Sequence, residues 1–136
     1  MLAATAFELA LKIKETSGAA ADPYATPDLF HGPLAMVAPG YPAVVVAHSG
    51  AAFADAASVR QDLHARGART LTITDEPSLT AGTPEQATLL TAPGVPEWLS
   101  PITAIVPGQL LALSMAKARG LDADQPRGLA KVTRTR

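Results

Sequence analysis

Pro42-Ala43-Val44-Val45-Val46-Ala47-His48-Ser49-Gly50, continuing through residues 51–66 into Gly67-Ala68-Arg69-Thr70-Leu71-Thr72-Ile73-Thr74, is the stretch whose reading decides the fold. Residues 43–47 form a short, continuous, Val-rich run, the pattern of a strand buried on both faces. Ser49 is placed to cap a helix over about 50–66, on which Ala52, Ala56, Val59 and Leu63 face one way, and Gly67 ends it. Residues 69–74 then read as a second strand, closed by Asp75-Glu76-Pro77. None of the 12 prolines falls between residues 43 and 76, so the most regular structure is expected there.

Working outward, residues 2–17 read as a helix. Leu2, Ala6, Leu9 and Ile13 make one apolar stripe, Glu8, Lys12 and Glu15 a charged one, and Gly18 a stop. Prolines 23, 27, 33, 39 and 42 break up the next segment. Thr26-Pro27-Asp28 has the composition of a helix start, which predicts a short helix over about 27–36 carrying His31 and disturbed by Pro33. Residues 87–91 are a further strand candidate. Residues 98–119 are helical and apolar but interrupted at Pro107-Gly108, which predicts two helices or one kinked helix ending at Gly120. Strand, helix, strand, short connection, strand, helix is the rhythm of a parallel sheet covered on both faces, so the class is α/β.

The 136 residues fit one domain, spanning 1–136, and the 48% hydrophobic content supplies a core without staples. With no cysteine, a disulfide framework, a thiolate metal site and a cysteine nucleophile are excluded together. A net charge of -1 provides no field for nucleic acid or an anionic membrane surface. Apolar runs fall short of the ~18 residues needed to span a bilayer. There is no basic, cleavable leader pattern, so a soluble cytoplasmic domain is expected. The tail at 126–136 differs from the rest: it holds Arg127, Lys131, Arg134 and Arg136, four of the 11 bases and none of the 12 acids. It reads either as a solvated basic end or as a segment that folds over an anionic ligand.

Two groups of residues could carry chemistry. Glu8, Lys12 and Glu15 can be a salt-bridged solvent face, but the remainder of their helix is apolar, so the face can equally line a crevice. There, a carboxylate beside an ammonium could move a proton between adjacent sugar carbons. His31-Gly32-Pro33 places a histidine where the local backbone is fixed and leaves room for a ligand or a neighbouring chain. His48 has a lesser claim, at the carboxyl edge of a strand where ligands bind in open α/β sheets. His64, mid-helix on what should be an exposed face, reads as structural. No Walker or GxGxxG phosphate cradle, HExxH or GxSxG elbow is present, which sets aside metal catalysis and nucleophilic hydrolysis.

Four segments taken in order carry a resemblance. They are Phe7-Glu8-Leu9-Ala10-Leu11-Lys12-Ile13-Lys14-Glu15-Thr16-Ser17; Leu29-Phe30-His31-Gly32-Pro33-Leu34-Ala35-Met36-Val37; Ile105-Val106-Pro107-Gly108-Gln109-Leu110-Leu111-Ala112; and Asp122-Ala123-Asp124-Gln125-Pro126-Arg127-Gly128-Leu129-Ala130-Lys131-Val132-Thr133. Together they resemble the second sugar isomerase (SIS) subdomain of the glucosamine-6-phosphate synthases. The resemblance implies a three-layer α/β/α, flavodoxin-like fold around a parallel sheet, without the strand that normally precedes the first helix. It also implies ketose–aldose isomerisation of a hexose 6-phosphate such as fructose 6-phosphate or glucosamine 6-phosphate, with no cofactor and no metal. By position, Glu15 matches the base that shuttles a proton between C1 and C2, and Lys12 the lysine that helps polarise the sugar oxygens. His31 matches the ring-opening histidine contributed across a dimer, and Lys131 the tail lysine that forms a Schiff base with the open-chain ketose. Arg127 is a further substrate-binding candidate.

The chain lacks the family's glutaminase domain and the preceding SIS subdomain whose Ser/Thr-rich loop holds the phosphate. It is therefore expected to be the C-terminal piece of a longer SIS protein, homodimeric and with little activity alone. Glucosamine-6-phosphate deaminases with paired SIS subdomains use the same isomerising residues and are the alternative enzyme. A sugar-phosphate-binding or dimerisation module is the non-catalytic one.

Overall fold

The computed structural model describes residues 2–80, 86–126 and 128. Helix α1 (Leu2–Ser17) leads to a short helix α2 (Thr26–Phe30) and a 3-10 turn at Pro33–Met36. Strand β1 (Pro42–Val46), helix α3 (Phe53–Ala65) and strand β2 (Arg69–Thr74) follow. A 3-10 turn at Pro77–Leu79, strand β3 (Gln86–Leu90), another 3-10 turn at Glu97–Leu99 and helix α4 (Ser100–Ala118) complete the order.

The strands are parallel in the order β1-β2-β3, with Val44 opposite Leu71 and Leu71 opposite Ala87. β2 is therefore the central strand, and Thr72, Ile73 and Thr74 are fully buried. β1 was expected to be covered on both faces but lies at a sheet edge, where Val45 alone of its residues is buried and Val44 is exposed. Its run of Val residues records strand propensity, not a central position.

Helices cover both faces. Val45 and Ala47 pack with Ala56, Val59 and Leu63 of α3, and Leu29 and Leu34 join this cluster from the α2 region. On the other face Ile73 packs with Leu9 and Ile13 of α1 and Ala104 and Ala112 of α4. The alternation of side chains along β1 and β2 produces the two cores, because successive residues point to opposite faces. The result is a three-layer α/β/α arrangement.

α1 and α4 form one layer as a parallel pair. Thr5 Oγ1 donates to the Pro101 carbonyl at 3.5 Å, and Thr16 Oγ1, whose proton goes to the Lys12 carbonyl, approaches the Ala112 carbonyl to 3.4 Å, both across a separation of 96 residues. Between these contacts Gly108 faces Leu9, and a Cβ there would stand 3.2 Å from the Leu9 Cδ1 methyl. Small residues at Ala104, Gly108, Ala112 and Ala116 thus form the buried side of α4. Of the two expectations, two helices or one kinked helix, the structure has a single helix with Pro107 inside it, and this packing explains why it is not divided there. Proline removes one backbone donor, and the tertiary contact on both sides of it maintains the helix.

Other local readings are corrected. The segment over 27–36 is not one helix: α2 ends at Phe30, and Gly32 (φ 140°) breaks the chain before the 3-10 turn opened by Pro33. A residue before proline is pushed out of the helical region, and glycine takes up the unusual angle. Ser49 does not cap α3, which begins at Phe53 after Ala52. His64 is half-buried, with Nε2 2.6 Å from Thr70 Oγ1.

The outer side of the α1–α4 layer is apolar. Trp98, Ile102, Val106 and Leu110, each more than half exposed, follow one another at four-residue intervals, with Phe7 and Leu11 exposed on α1. By length and composition Glu97–Ala118 is also apolar enough to cross a bilayer (mean hydropathy 1.5), against the expectation that every apolar run falls short. Uncharged Ser and Thr account for the difference. They interrupt a run of apolar residues without adding charge, and here Ser114 Oγ donates to the Leu110 carbonyl at 2.7 Å.

Replacing Gly108 by Val should push α1 and α4 apart at Leu9 and cost about 1–3 kcal/mol of stability. Urea denaturation checks this; an unchanged midpoint would show that the helices do not depend on this close approach.

Candidate active site

The direction of α4 locates its ends. Its start lies at the carboxyl edge of the sheet, because Glu97 Oε2 accepts the Ala51 N–H at 3.3 Å just beyond β1. Its end, and the end of the parallel helix α1, therefore lie at the amino edge. Both helices stop at a glycine, Gly18 and Gly120. A pocket of about 330 Å³ opens between these ends, lined by Lys14, Glu15 and Thr16 on one side and Gly120, Leu121 and Gln125 on the other. That is the lower end of the range for small-molecule sites, about 300–1,000 Å³.

Glu15 lines this pocket, and Lys12 pairs with it from the preceding turn of α1. Lys12 Nζ donates to Glu15 Oε2 at 2.8 Å and lies 3.7 Å from Glu8 Oε1, and all three side chains are roughly one-third to two-fifths exposed. The hydrogen bond to Glu15, helped by the charges of Glu15 and Glu8, holds the Lys12 ammonium above its usual pKa of 10.5 despite some desolvation. Lys12 thus remains a cation beside a carboxylate at the rim of a cavity. The turn is rigid as well: Thr16 Oγ1 donates to the Lys12 carbonyl at 2.8 Å and Ser17 Oγ to the Ile13 carbonyl at 2.7 Å.

His31 is not part of this cluster. It is exposed at the end of α2, which packs with α3 on the other side of the sheet from α1. Within one chain the sheet separates it from Glu15. Lys131 and Arg127 lie outside the described residues. Among the described residues no three His, Asp or Glu side chains converge as a metal site.

His48 does stand at the carboxyl edge, as its place after β1 required, but it is buried and not open to a ligand. Sequence reasoning did not single out its neighbour Asp75. This acid, directly after the central strand, accepts the Ser49 N–H at 2.7 Å through Oδ1 and the Ser49 hydroxyl through Oδ2. An acid immediately beyond the most buried strand of a parallel sheet was the available signal. His48 Nε2 is 3.2 Å from Thr91 Oγ1, while Nδ1 faces Asp75 Oδ1 at 3.7 Å and has no hydrogen-bond partner. Burial works to raise the Asp75 pKa, but the Ser49 hydroxyl and amide, with His48, outweigh it and hold the acid below 3.8.

The family model described as the SIS domain matches residues 2–119, and the chain belongs to that family. It is 39% identical over 126 residues to a glutamine–fructose-6-phosphate aminotransferase (isomerizing) of Brucella abortus, covering 93% of this chain and 21% of that protein. The chain thus spans about a fifth of the length of such curated relatives. Among solved structures it superposes on the C-terminal domain of glucosamine-fructose-6-phosphate aminotransferase from Francisella tularensis with a TM-score of 0.81. That match has 29% identity and covers 91% of this chain and 35% of that one. A glucosamine-6-phosphate deaminase from Thermotoga maritima gives a TM-score of 0.69 at 28% identity, covering 93% and 35%.

Asp75→Ala should cost about 1–3 kcal/mol, because the Ser49 amide and hydroxyl both lose their acceptor. A carboxylate whose folded pKa is depressed stabilises the fold above its unfolded pKa of 3.8 and loses that contribution as pH falls through the lower folded value. Urea midpoints measured from neutral pH downward should therefore fall less steeply below pH 3.8 in Asp75→Asn than in the unmodified chain. Parallel curves would remove Asp75 from the account.

Proposed function

We propose that this chain forms the proton-shuttling half of a sugar-phosphate isomerase site, of the type found in isomerising aminotransferases, acting on a hexose 6-phosphate. The observation that supports it most directly is the Lys12–Glu15 pair, 2.8 Å apart, whose carboxylate lines the pocket between the ends of α1 and α4. The names of the relatives, which are isomerising aminotransferases, agree with it.

In this reading Glu15 removes a proton from C1 of the open-chain ketose or its C2 imine, leaving an enediol or enamine, and returns it to C2 to complete the aldose. Lys12, charged at neutral pH, donates to Glu15 at 2.8 Å and offsets charge that develops on the sugar oxygens. His31 opens the sugar ring. Because it lies across the sheet from Glu15, it serves the site of a second copy, and the working unit is a homodimer. Lys131 condenses with the C2 carbonyl, losing water to form a Schiff base. Water hydrolyses this back to the ketose, or ammonia displaces the lysine to leave the C2 imine; either way the lysine amine is freed before the proton transfer. Arg127 binds substrate from the same tail. Residues 1–136 act as one domain with a basic end, 126–136. The phosphate is held by a part of the longer relatives outside the matched region, so turnover by this chain alone is slow.

A second reading, deamination of glucosamine 6-phosphate, uses the same proton transfer and is supported by the likeness to the Thermotoga maritima deaminase. Ammonia released from glucosamine 6-phosphate would favour that direction.

The chain mixed with fructose 6-phosphate in D2O should place deuterium at C1 of the sugar, read by NMR. Glu15→Gln should slow this at least ~100-fold, the lower end of what a general base contributes. It should change stability by no more than about 0.5 kcal/mol, as for a partly exposed helical ion pair. Equal exchange by Glu15→Gln overturns the assignment, and no exchange by the unmodified chain assigns the chemistry to the longer protein of which this chain would be one part.

A further inference from the structure

The carboxyl edge of the sheet holds a second polar cluster, which the proposed chemistry does not use. The turn between β1 and α3 carries Ser49, whose amide and hydroxyl both donate to the Asp75 carboxylate at the end of β2. Asp75 is the turn's polar tie to the central strand. The next residue, Gly50, has φ 138°, and the Ala51 N–H reaches out to Glu97 at 3.3 Å. α3 itself begins without a side-chain cap, and its first turn is held by backbone bonds from the Phe53 N–H to the Gly50 carbonyl at 3.2 Å and from the Ala56 N–H to the Ala52 carbonyl at 3.1 Å.

His48 is the residue immediately before this tie. Its side chain is 1% exposed and its Nδ1 has no hydrogen-bond partner, an uncommon state for a buried polar atom. Nδ1 faces Asp75 Oδ1 at 3.7 Å, too far for a hydrogen bond and close enough for the two groups to meet after a small rotation. The same oxygen already accepts the Ser49 amide. A neutral imidazole leaves the carboxylate to Ser49, whereas an imidazolium competes with Ser49 for it.

We propose that His48, Ser49 and Asp75 form a proton-operated latch. With His48 neutral, Asp75 holds the β1–α3 turn closed through Ser49; proton uptake by His48 releases that turn, and the first turn of α3 with it, as a local opening.

The surroundings leave few other groups to drive such a change. From β2 the facing group is Asp75, and from the segment after β3 it is the uncharged Thr91. From α3, Arg60 is directed to Thr72 and the Leu79 carbonyl, and Glu97 meets the turn at Ala51. Among the described residues Asp75 is the charged group that acts on His48. Burial lowers the His48 pKa below 6.5 by more than Asp75 raises it, so the closed state resists the proton that the open state accepts. Closure is therefore complete above pH 6.5 and weakens as pH falls below it.

Amide hydrogen exchange followed by NMR tests this on the intact chain. Corrected for intrinsic rates, protection of the Ser49 amide should fall by up to ~tenfold per pH unit below 6.5, while that of Ile73 in the central strand remains unchanged. His48→Gln, which keeps a polar group towards Thr91 but takes no proton, should abolish the pH dependence. His64→Gln should leave it intact, although His64 is also held below 6.5, by its own burial and by Arg60. A parallel loss at Ile73 would mean global unfolding and overturn the latch. So would equal pH dependence in His48→Gln, or its loss in His64→Gln.

Discussion

The contact on which the candidate site depends is the close parallel packing of α1 on α4. Thr5 and Thr16 of α1 meet α4 carbonyls across the same separation of 96 residues, and Gly108 lets Leu9 in between. The constant offset sets the last residue of α1, Ser17, beside Leu113, and α4 runs on from there to Ala118. The pocket at Glu15 opens where the segment after α4, from Gly120 to Gln125, faces the end of α1. Gly108 gives up helix propensity, and the alanines around it give up apolar area, but they allow the approach that carries Glu15 to the pocket. A larger residue at Gly108 or Ala112 would reach the site through geometry alone, without touching substrate.

The sheet separates two kinds of polar chemistry. At its amino edge Lys12 and Glu15 are partly exposed, strongly paired and accessible to a small molecule. At its carboxyl edge His48 and Asp75 are buried and engaged with the backbone of a turn. The rule that open α/β sheets bind ligands beyond the carboxyl ends of their strands would have pointed to the second set. Here those ends are closed by the protein's own groups, with Glu97 and Asp75 already occupying the donors of the β1–α3 turn. The sheet also stands between His31 and Glu15, so a reaction that needs both is a property of an assembly.

Much of the fold was legible because its signals are local. The Val-rich run at 43–47, the alternating Thr and aliphatic residues of 69–74 and the glycines at 18, 67 and 120 report strand and helix ends whatever surrounds them. The misreadings share a cause, in that each turned on a distant partner. Ser49 has the chemistry of a cap, but an acid 26 residues away accepts its hydrogen bonds instead. Pro107 has the chemistry of a break, overridden by α1. β1 has the composition of a central strand, but sheet order is set by neighbours and not by propensity. For the site, spacing put Lys12 and Glu15 on one helical face. Only the fold reveals that His31 lies across the sheet, since nothing in His31-Gly32-Pro33 specifies which layer it joins.

The pairing of α1 with α4 also sets an order for the chain's birth. α1 is synthesised well before α4, whereas β1, α3 and β2 lie close together in sequence between them and build their own core. At about 5–20 residues per second, the 96 residues between the paired positions take roughly 5–20 s to emerge. During that interval Leu9 and Ile13 have no α4 to cover them. The helix that carries Lys12 and Glu15 is thus made long before the helix that seats it, and its apolar face waits uncovered by α4 until α4 has left the ribosome.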